Sequence, residues 1–431
     1  MIKRVEINLV PSRYGLLNLK RGFHVQIQII DESNPLAIQK LSTSLPSAIK
    51  VNCCYQKWKK LHKDFYESSN FLKNIQNNVI LSMICQLPFA IEILDYYEKC
   101  HRWLHKYFYE LTNDSFGKRP IEVYKLSLYN DVKNLAKKLE SKKALDIKSQ
   151  LNKLKEEIND WLDTKDFCKT EKELRTQLGE NDEIMVIIST EDDLAWRLPW
   201  HFWSFFNDYI NAGVVLSHPE FKKVDSNTNH SSPQEQIKVL AIVDDEDNRK
   251  DLNEWKDNKN FELEVLSEQI LDSEPLKKIS DKLSEQPWDI LFFAGHSSSN
   301  IKNEKAGFYI NKKCYLTINQ LKNPLTYAIN QGLQLAFFNS CDGLGLARDL
   351  LKLNLPKVIV MREDVPNKVA ELFLKYFLEE FMANQGSKPT FVVVQKVREK
   401  LEVWEYESEI NLFPGASLLP VICFNPATDL T

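Results

Sequence analysis

The chain has little glycine, no long apolar run and no cluster of positive charge, and each absence excludes a class of protein. No stretch of its 431 residues approaches the roughly 18 apolar residues that a membrane helix needs. Its 56 basic and 60 acidic residues nearly balance and form no basic run, which argues against a nucleic-acid groove. We therefore expect neither a membrane nor a nucleic acid as a direct partner.

Cysteine is also sparse, and its spacing matters more than its number. The eight cysteines show no paired C-x-x-C spacing, so we expect neither a disulfide framework nor a zinc site. The first ten residues lack the long apolar core and the small-residue cleavage site of a signal peptide. These features predict a cytoplasmic protein with reduced thiols, one of which is free to act as a nucleophile.

The hydrophobic pattern changes character near residue 179. Residues 1–178 open with two alternating runs that predict a strand pair, followed by helical patterns that we interpret as a docking or regulatory region. The apolar stripes at 128–139 and 147–161, with a charged break between them, predict a helical hairpin.

Residues 179–431 alternate short apolar runs with helical patterns. This alternation predicts an α/β domain with a mostly parallel sheet and helices on both faces. The predicted strands are Glu183–Thr190, Gly213–Ser217, Ile237–Asp244, Phe261–Leu266, Trp288–Gly295, Leu333–Ser340, Lys357–Arg362 and Leu418–Phe424.

Two of these runs end in residues that can do chemistry. His296 follows Trp288–Gly295, and Cys341 follows Leu333–Ser340. If both strands lie in one parallel sheet, the two residues emerge at the same edge, where open α/β sheets place their chemistry. A buried cysteine is usually inert and a strand-end histidine can simply bond a carbonyl. Together, however, a thiol and an imidazole form a nucleophile with its base.

Glycine is scarce in this chain, and where some of it lies supports this interpretation. The chain has 12 glycines, against an average usage of about 7%. Three of them, Gly295, Gly343 and Gly345, flank the histidine and the cysteine. Their freedom of backbone conformation suits tight turns around a reacting group.

Four motifs, in order, resemble the CHAT domain, a family of caspase-like peptidases often associated with tetratricopeptide repeats. The motifs are Leu198–Trp203, Phe292–His296, Phe338–Cys341 and Val358–Arg362, within a resemblance that spans roughly 180–427. The resemblance implies a caspase-haemoglobinase-like sheet and cysteine endopeptidase activity, and we expect no cofactor. By position, His296 matches the catalytic histidine and Cys341 the nucleophile. The backbone N–H groups of Ser297 and Cys341 would hold the oxyanion.

The sequence departs from the family pattern beside both residues. Ser297 stands where a glycine commonly follows the histidine, and Asn339 stands where arginine-specific relatives often carry an aspartate. Asp244 and Asp245 offer an alternative negative wall for the S1 pocket, although solvated loop charges are the other interpretation of this pair.

Two function hypotheses follow from these residues. The first is a cysteine endopeptidase acting on a protein substrate, and the family resemblance implies a role in bacterial stress, defence or cell death with a target such as a gasdermin-like protein. It would respond to a separate sensor or activator, or to cleavage in loop 221–236 or 297–306. The alternative is a catalytically silent, caspase-like scaffold for protein interaction. A nucleotide-binding domain is less compatible, because no phosphate loop is present.

Other conspicuous residues have structural interpretations. Trp200 and Trp203 are expected to pack as core wedges, with His201 beside them as a structural or partly exposed histidine. His101 and His105 lie at i,i+4 spacing beside Cys100, but they lack a further ligand in view, so no metal site is predicted.

Overall fold

The computed structural model describes most of the chain, with gaps at the amino terminus, in part of the helical region and at several connections. The described residues are 2–11, 22–76, 122–219, 236–243, 252, 259–267, 270–271, 273–295, 297–298, 307–311, 314–339, 343–383, 388–407 and 413–428. The predicted helices at 89–111 and 249–256 lie outside them, except for Leu252.

Fourteen strands form within the described residues. In chain order, β1 to β14 are Ile2–Pro11, Phe23–Asp31, Asn34–Leu45, Glu183–Ser189, Ala212–Ser217, Ile237–Val243, Phe261–Ser267, Ile290–Ala294, Ser297–Ser298, Gly307–Asn311, Cys314–Thr317, Leu335–Asn339, Lys357–Met361 and Pro420–Phe424.

The described α-helices are labelled α1 to α10. They are Ile49–Gln76, Glu122–Leu162, Lys165–Arg175, Asp193–Arg197, Phe205–Asp208, Pro275–Glu285, Lys322–Asn330, Leu344–Lys352, Asn367–Ala383 and Thr390–Glu407. Short 3-10 helices cover Trp200–Phe202 and Ala416–Leu418.

Eleven strands build one sheet, in the order β3-β2-β1-β4-β5-β14-β13-β12-β8-β6-β7. Its central strands β4, β5, β8 and β12 are apolar along nearly their whole length and buried on both faces, as strands of a covered parallel sheet must be. The sheet contains two parallel blocks that run in opposite directions, because β13 and β14 pair antiparallel. One block is β13, β12, β8, β6 and β7. The predicted α/β fold with a mostly parallel sheet is confirmed.

The amino-terminal strands extend this same sheet. Strand β1 pairs antiparallel with β2 and parallel with β4, so the predicted strand pair is joined to the sheet of residues 179–431. A third strand, β3, which the sequence pattern did not predict, pairs with β2 and forms the sheet edge. The predicted hairpin over 128–161 was wrong: α2 is one helix of 41 residues without a break.

By compactness the chain divides into two units. The first comprises Met1–Tyr55, Lys153–Glu407 and Gly415–Thr431, and holds the eleven-stranded sheet. The second comprises Gln56–Asn152 and Ser408–Pro414. Within the second unit Trp58 is fully buried and stacks on His62, with ring centroids 5.1 Å apart. None of the described helices is long and apolar enough to cross a membrane.

Candidate active site

Three neighbouring parallel strands end level with one another at one edge of the sheet. Val243 at the end of β6 pairs with Ala294 at the end of β8, and Ala294 pairs with Asn339 at the end of β12. The strand order also reverses here, because the chain runs from β6 outward to β7 and then returns to β8 on the other side of β6. Such a switch point, beyond the carboxyl ends of the strands, is where open α/β sheets bind ligands.

The predicted site residues follow this row in the sequence. Asp244 and Asp245 come directly after Val243, and His296 and Cys341 come two residues after Ala294 and Asn339, respectively. These four residues lie outside the described part of the chain. Ser297 begins strand β9, where its backbone pairs with Phe308 of β10. Their catalytic, oxyanion and pocket roles stay predictions.

The connection between β12 and α8 contains Cys341 and is here called the cysteine turn, and the fold holds the two described residues that bound it. It starts at Asn339, the last residue of β12, and ends at Gly343, which precedes helix α8. The amide of Gly343 donates to the carbonyl of Met361 on β13 at 2.9 Å. A Cβ atom on Gly343 would lie 2.7 Å from the Cβ atom of Val360, so only glycine lets the backbone approach β13 this closely.

Aromatic rings pack on both faces of the two strands that lead to the site. On one face Phe293 and Phe338 contact Phe308, with ring centroids 4.6 and 5.7 Å away. Phe308 belongs to the small sheet β9-β10-β11, which follows residue 296 directly. On the other face Phe337 packs against Phe373 and other rings of α9. These contacts fix β8 and β12 against each other and hold the small sheet over their ends.

Asn339 faces α9. Its Nδ2 atom donates to the carbonyl of Ala370 at 3.2 Å, and the residue is buried. Its Oδ1 atom is buried and has no hydrogen-bond partner within the described residues. An aspartate here would place a carboxylate against that carbonyl, so the amide satisfies a contact that an aspartate would not.

Arg362 links two of the four sequence motifs. Its fully buried guanidinium donates to the carbonyls of Arg197 and Leu198 at 2.6 and 2.9 Å, and to that of Leu418 at 3.1 Å. Burial lowers the pKa of Arg362, and these carbonyls supply the acceptors that a buried cation requires. The segment Leu198–Trp203 is thereby held against the end of β13. As predicted, Trp200 and Trp203 are buried.

Sequence reasoning missed Glu363, the next residue. It is 4% exposed, and its Oε1 atom accepts a hydrogen bond from the Tyr55 hydroxyl at 2.5 Å and from Arg197 Nη1 at 3.2 Å. Burial and the adjacent Glu363 raise the pKa of Tyr55 well above its usual value. A glutamate directly after a buried strand was the local signal, but Tyr55 lies 308 residues away in sequence.

His201 is held as a neutral imidazole. Both ring nitrogens are buried without a hydrogen-bond partner in the described part of the chain. Burial lowers the pKa of His201 well below its usual value, and the charges of Arg398, Arg362 and Lys155 lower it further. These surroundings fit the structural role that the sequence predicted.

Three of the described cysteines have thiols with raised pKa values. Burial raises the pKa of Cys423 to about 12 and also raises that of Cys314. Cys168 donates to Asp163 at 2.8 Å, which raises its pKa as well. Since the thiolate is the nucleophile, these three thiols are poor competitors for an electrophile.

No group of three or more metal-ligating side chains occurs within the described residues. Cys100, His101 and His105, which the sequence analysis weighed as ligands, lie outside them.

One comparison with known proteins agrees with the motifs. A family model described as "CHAT domain" matches residues 173–395, just over half of the chain. Among twelve matching chains of solved structures, one comes from the separase–securin complex of Saccharomyces cerevisiae, with a TM-score of 0.45 and 14% identity. That match covers 98% of this chain and 30% of the yeast chain. A comparison with curated proteins gives no match.

Proposed function

The chain belongs to the CHAT family, and on that premise we propose that it is a cysteine endopeptidase with Cys341 as nucleophile and His296 as base and acid. The observation that carries the proposal is the register of Val243, Ala294 and Asn339 across three adjacent parallel strands. Adjacent strands lie about 4.8 Å apart, so two residues that each follow such a row by two positions start from neighbouring points.

The proposed chemistry is acyl transfer through a covalent intermediate. The Cys341 thiolate attacks the peptide carbonyl carbon, and His296 gives a proton to the leaving amine as the C–N bond breaks. Water then attacks the thioester and gives a proton to His296, and as the C–S bond breaks the Cys341 thiolate leaves and the carboxylic acid product is released. The amides of Ser297 and Cys341 are the proposed donors to the oxyanion.

Substrate choice is assigned to the same strand ends. Asp244 and Asp245 follow β6, which neighbours β8, so their carboxylates are our candidates for selecting a basic P1 side chain. Asn339 offers an acceptor through its buried Oδ1 atom and carries no charge. Protein substrates in bacterial defence or cell death, a gasdermin-like protein among them, remain the proposed targets, with a separate sensor and a cytoplasmic setting.

A peptide-library cleavage profile of the wild-type protein and of Cys341→Ala tests this proposal. We expect the wild type to cut a defined subset of peptides and Cys341→Ala to cut none. Loss of a basic P1 preference in Asp244→Asn/Asp245→Asn would support the pocket assignment. Cleavage that persists in Cys341→Ala, or none by the wild type after exposure to its activating conditions, would remove the enzyme hypothesis and leave the scaffold.

A further inference from the structure

We propose that Glu363 is a positioning residue for the turn that carries Cys341, and that its bond to Tyr55 makes this turn respond to helix α1. The inference rests on the proposed function in one respect: the turn matters for activity because it carries the nucleophile. Its structural part, a coupling between α1 and the turn, stands on described contacts alone.

Glu363 occupies the strand end next to the cysteine turn. Phe338 of β12 pairs with Val360 of β13, and Cys341 and Glu363 each stand three residues further along their chains. The end of β13 also holds the far side of the turn, through the hydrogen bond from Gly343 to Met361. We expect a shift of the end of β13 to shift Gly343 as well, because this hydrogen bond joins them and the backbone of Gly343 lies so close to Val360 that an added Cβ atom would be 2.7 Å from its Cβ atom.

The carboxylate of Glu363 is held from two directions. Tyr55 donates to it from α1, and Arg197 donates to it from the segment that precedes Leu198. A buried carboxylate is costly without such partners, so loss of one donor favours a rearrangement of this strand end. Arg197 is itself tied to the same strand end, because its carbonyl accepts from Arg362.

Helix α1 reaches beyond this contact. It begins at Ile49 and is fully buried at Tyr55, and its residues from Gln56 onward belong to the second compact unit. The helix that donates to Glu363 is thus the helix by which the chain enters that unit. A sensor that moves α1 would act on the Tyr55–Glu363 bond, and through β13 on the turn.

Amide hydrogen exchange measures the structural part without requiring activity. In the full-length protein we expect Tyr55→Phe to speed exchange at Gly343 and in the first turn of α8 about tenfold, while α6 stays unchanged. Glu363→Gln should speed exchange at the same amides, and it replaces Tyr55→Phe if that variant fails to fold. Unchanged protection at Gly343 in both variants would overturn the inference, whether or not the protein is a peptidase.

Kinetics then separate positioning from general destabilisation. Tyr55→Phe and Glu363→Gln should each lower kcat for peptide cleavage about tenfold with little change in KM, and the double variant should be no worse than either single variant. The matched control is Tyr209→Phe, which removes a hydroxyl that donates to the carbonyl of Arg175, and its kcat should equal that of the wild type.

An additive loss of kcat in the double variant, or an equal loss of kcat in the control, would contradict coupling. A wild type that cuts nothing would contradict the proposed function instead.

Discussion

Gly343 shows how one residue can hold the segment that follows β12 against β13. Its φ of −84° is open to any residue, so the requirement for glycine is one of space: an added Cβ atom would press on Val360. We expect Gly343→Ala to lower the free energy of unfolding by about 1–3 kcal/mol, as overpacking of a core contact does. Urea unfolding measures the change.

Gly345→Ala is the matched control for that substitution. Gly345 lies inside helix α8, where alanine has the higher helix propensity, so the free energy of unfolding should stay within about 1 kcal/mol of the wild type. If both variants behave alike, the close approach at Gly343 is not what holds the turn.

The lowered pKa of His201 predicts that the free energy of unfolding depends on pH. Its pKa is lowered in the folded state, so the unfolded chain binds a proton below about pH 6.5 that the folded chain does not. Stability is therefore lost as the pH falls through that value. His201→Phe removes this loss, together with two ring nitrogens that have no hydrogen-bond partner among the described residues. We expect its stability advantage to grow by at most about 1.4 kcal/mol per pH unit between pH 6.5 and 5.

Urea unfolding of both proteins at several pH values tests this prediction, because the other groups titrate equally in each. Parallel stability profiles would mean that His201 binds its proton equally well in the folded and unfolded states, which would contradict a lowered pKa.

At the scale of elements, the small sheet β9-β10-β11 is the feature that places the chain after residue 296. Phe308 is 2% exposed and contacts Phe293 of β8 and Phe338 of β12, whose rings lie on the face of the large sheet that Phe308 covers. Phe308→Ala should lower the free energy of unfolding by about 3–5 kcal/mol and reduce peptide cleavage. Tyr309→Ala is the control on the same strand: Tyr309 is half-buried and its ring lies tilted against that of Tyr315, so we expect a smaller loss. Equal losses would contradict the role of Phe308.

Elements with a strong local pattern were predictable from the sequence. The buried strands β4, β5, β6, β8 and β12 to β14 are nearly continuous apolar runs, and no other local structure of that length suits them as well. Strand β3 was missed because Ile38, Leu41 and Leu45 are spaced three and four apart, as in a helix. The break predicted within α2 was wrong because its charged residues are compatible with a continuous helix.

The residues of the candidate site also fall into two groups: those that a local sequence pattern indicates and those whose partners are distant in sequence. His296 and Cys341 were singled out because each follows an apolar strand, which is a local signal. Glu363 was not, since its role depends on Tyr55 and Arg197, which only the fold brings to it. Strand register and distant partners are properties of the assembled sheet, and no single segment encodes them.

At the scale of the whole molecule, strand β1 joins the amino-terminal residues to the sheet of residues 179–431. Strand β1 pairs with β4 over seven residues, from Ile2 with Glu183 to Asn8 with Ser189. A fragment comprising 179–431 would expose β4 as an apolar edge. We expect it to aggregate or to lack a cooperative urea transition, whereas the full chain unfolds cooperatively. A soluble fragment with the midpoint of the full chain would show that β1–β3 are dispensable.

Labelling by a peptidyl chloromethyl ketone library, mapped by mass spectrometry, tests the central claim most directly. We predict that Cys341 is alkylated first and that His296→Ala slows this reaction by about 100-fold or more, since the imidazole is its base. Cys168, Cys314 and Cys423 should react slowly because their pKa values are raised. Labelling spread evenly over the cysteines, or unaffected by His296→Ala, would contradict a Cys341–His296 dyad.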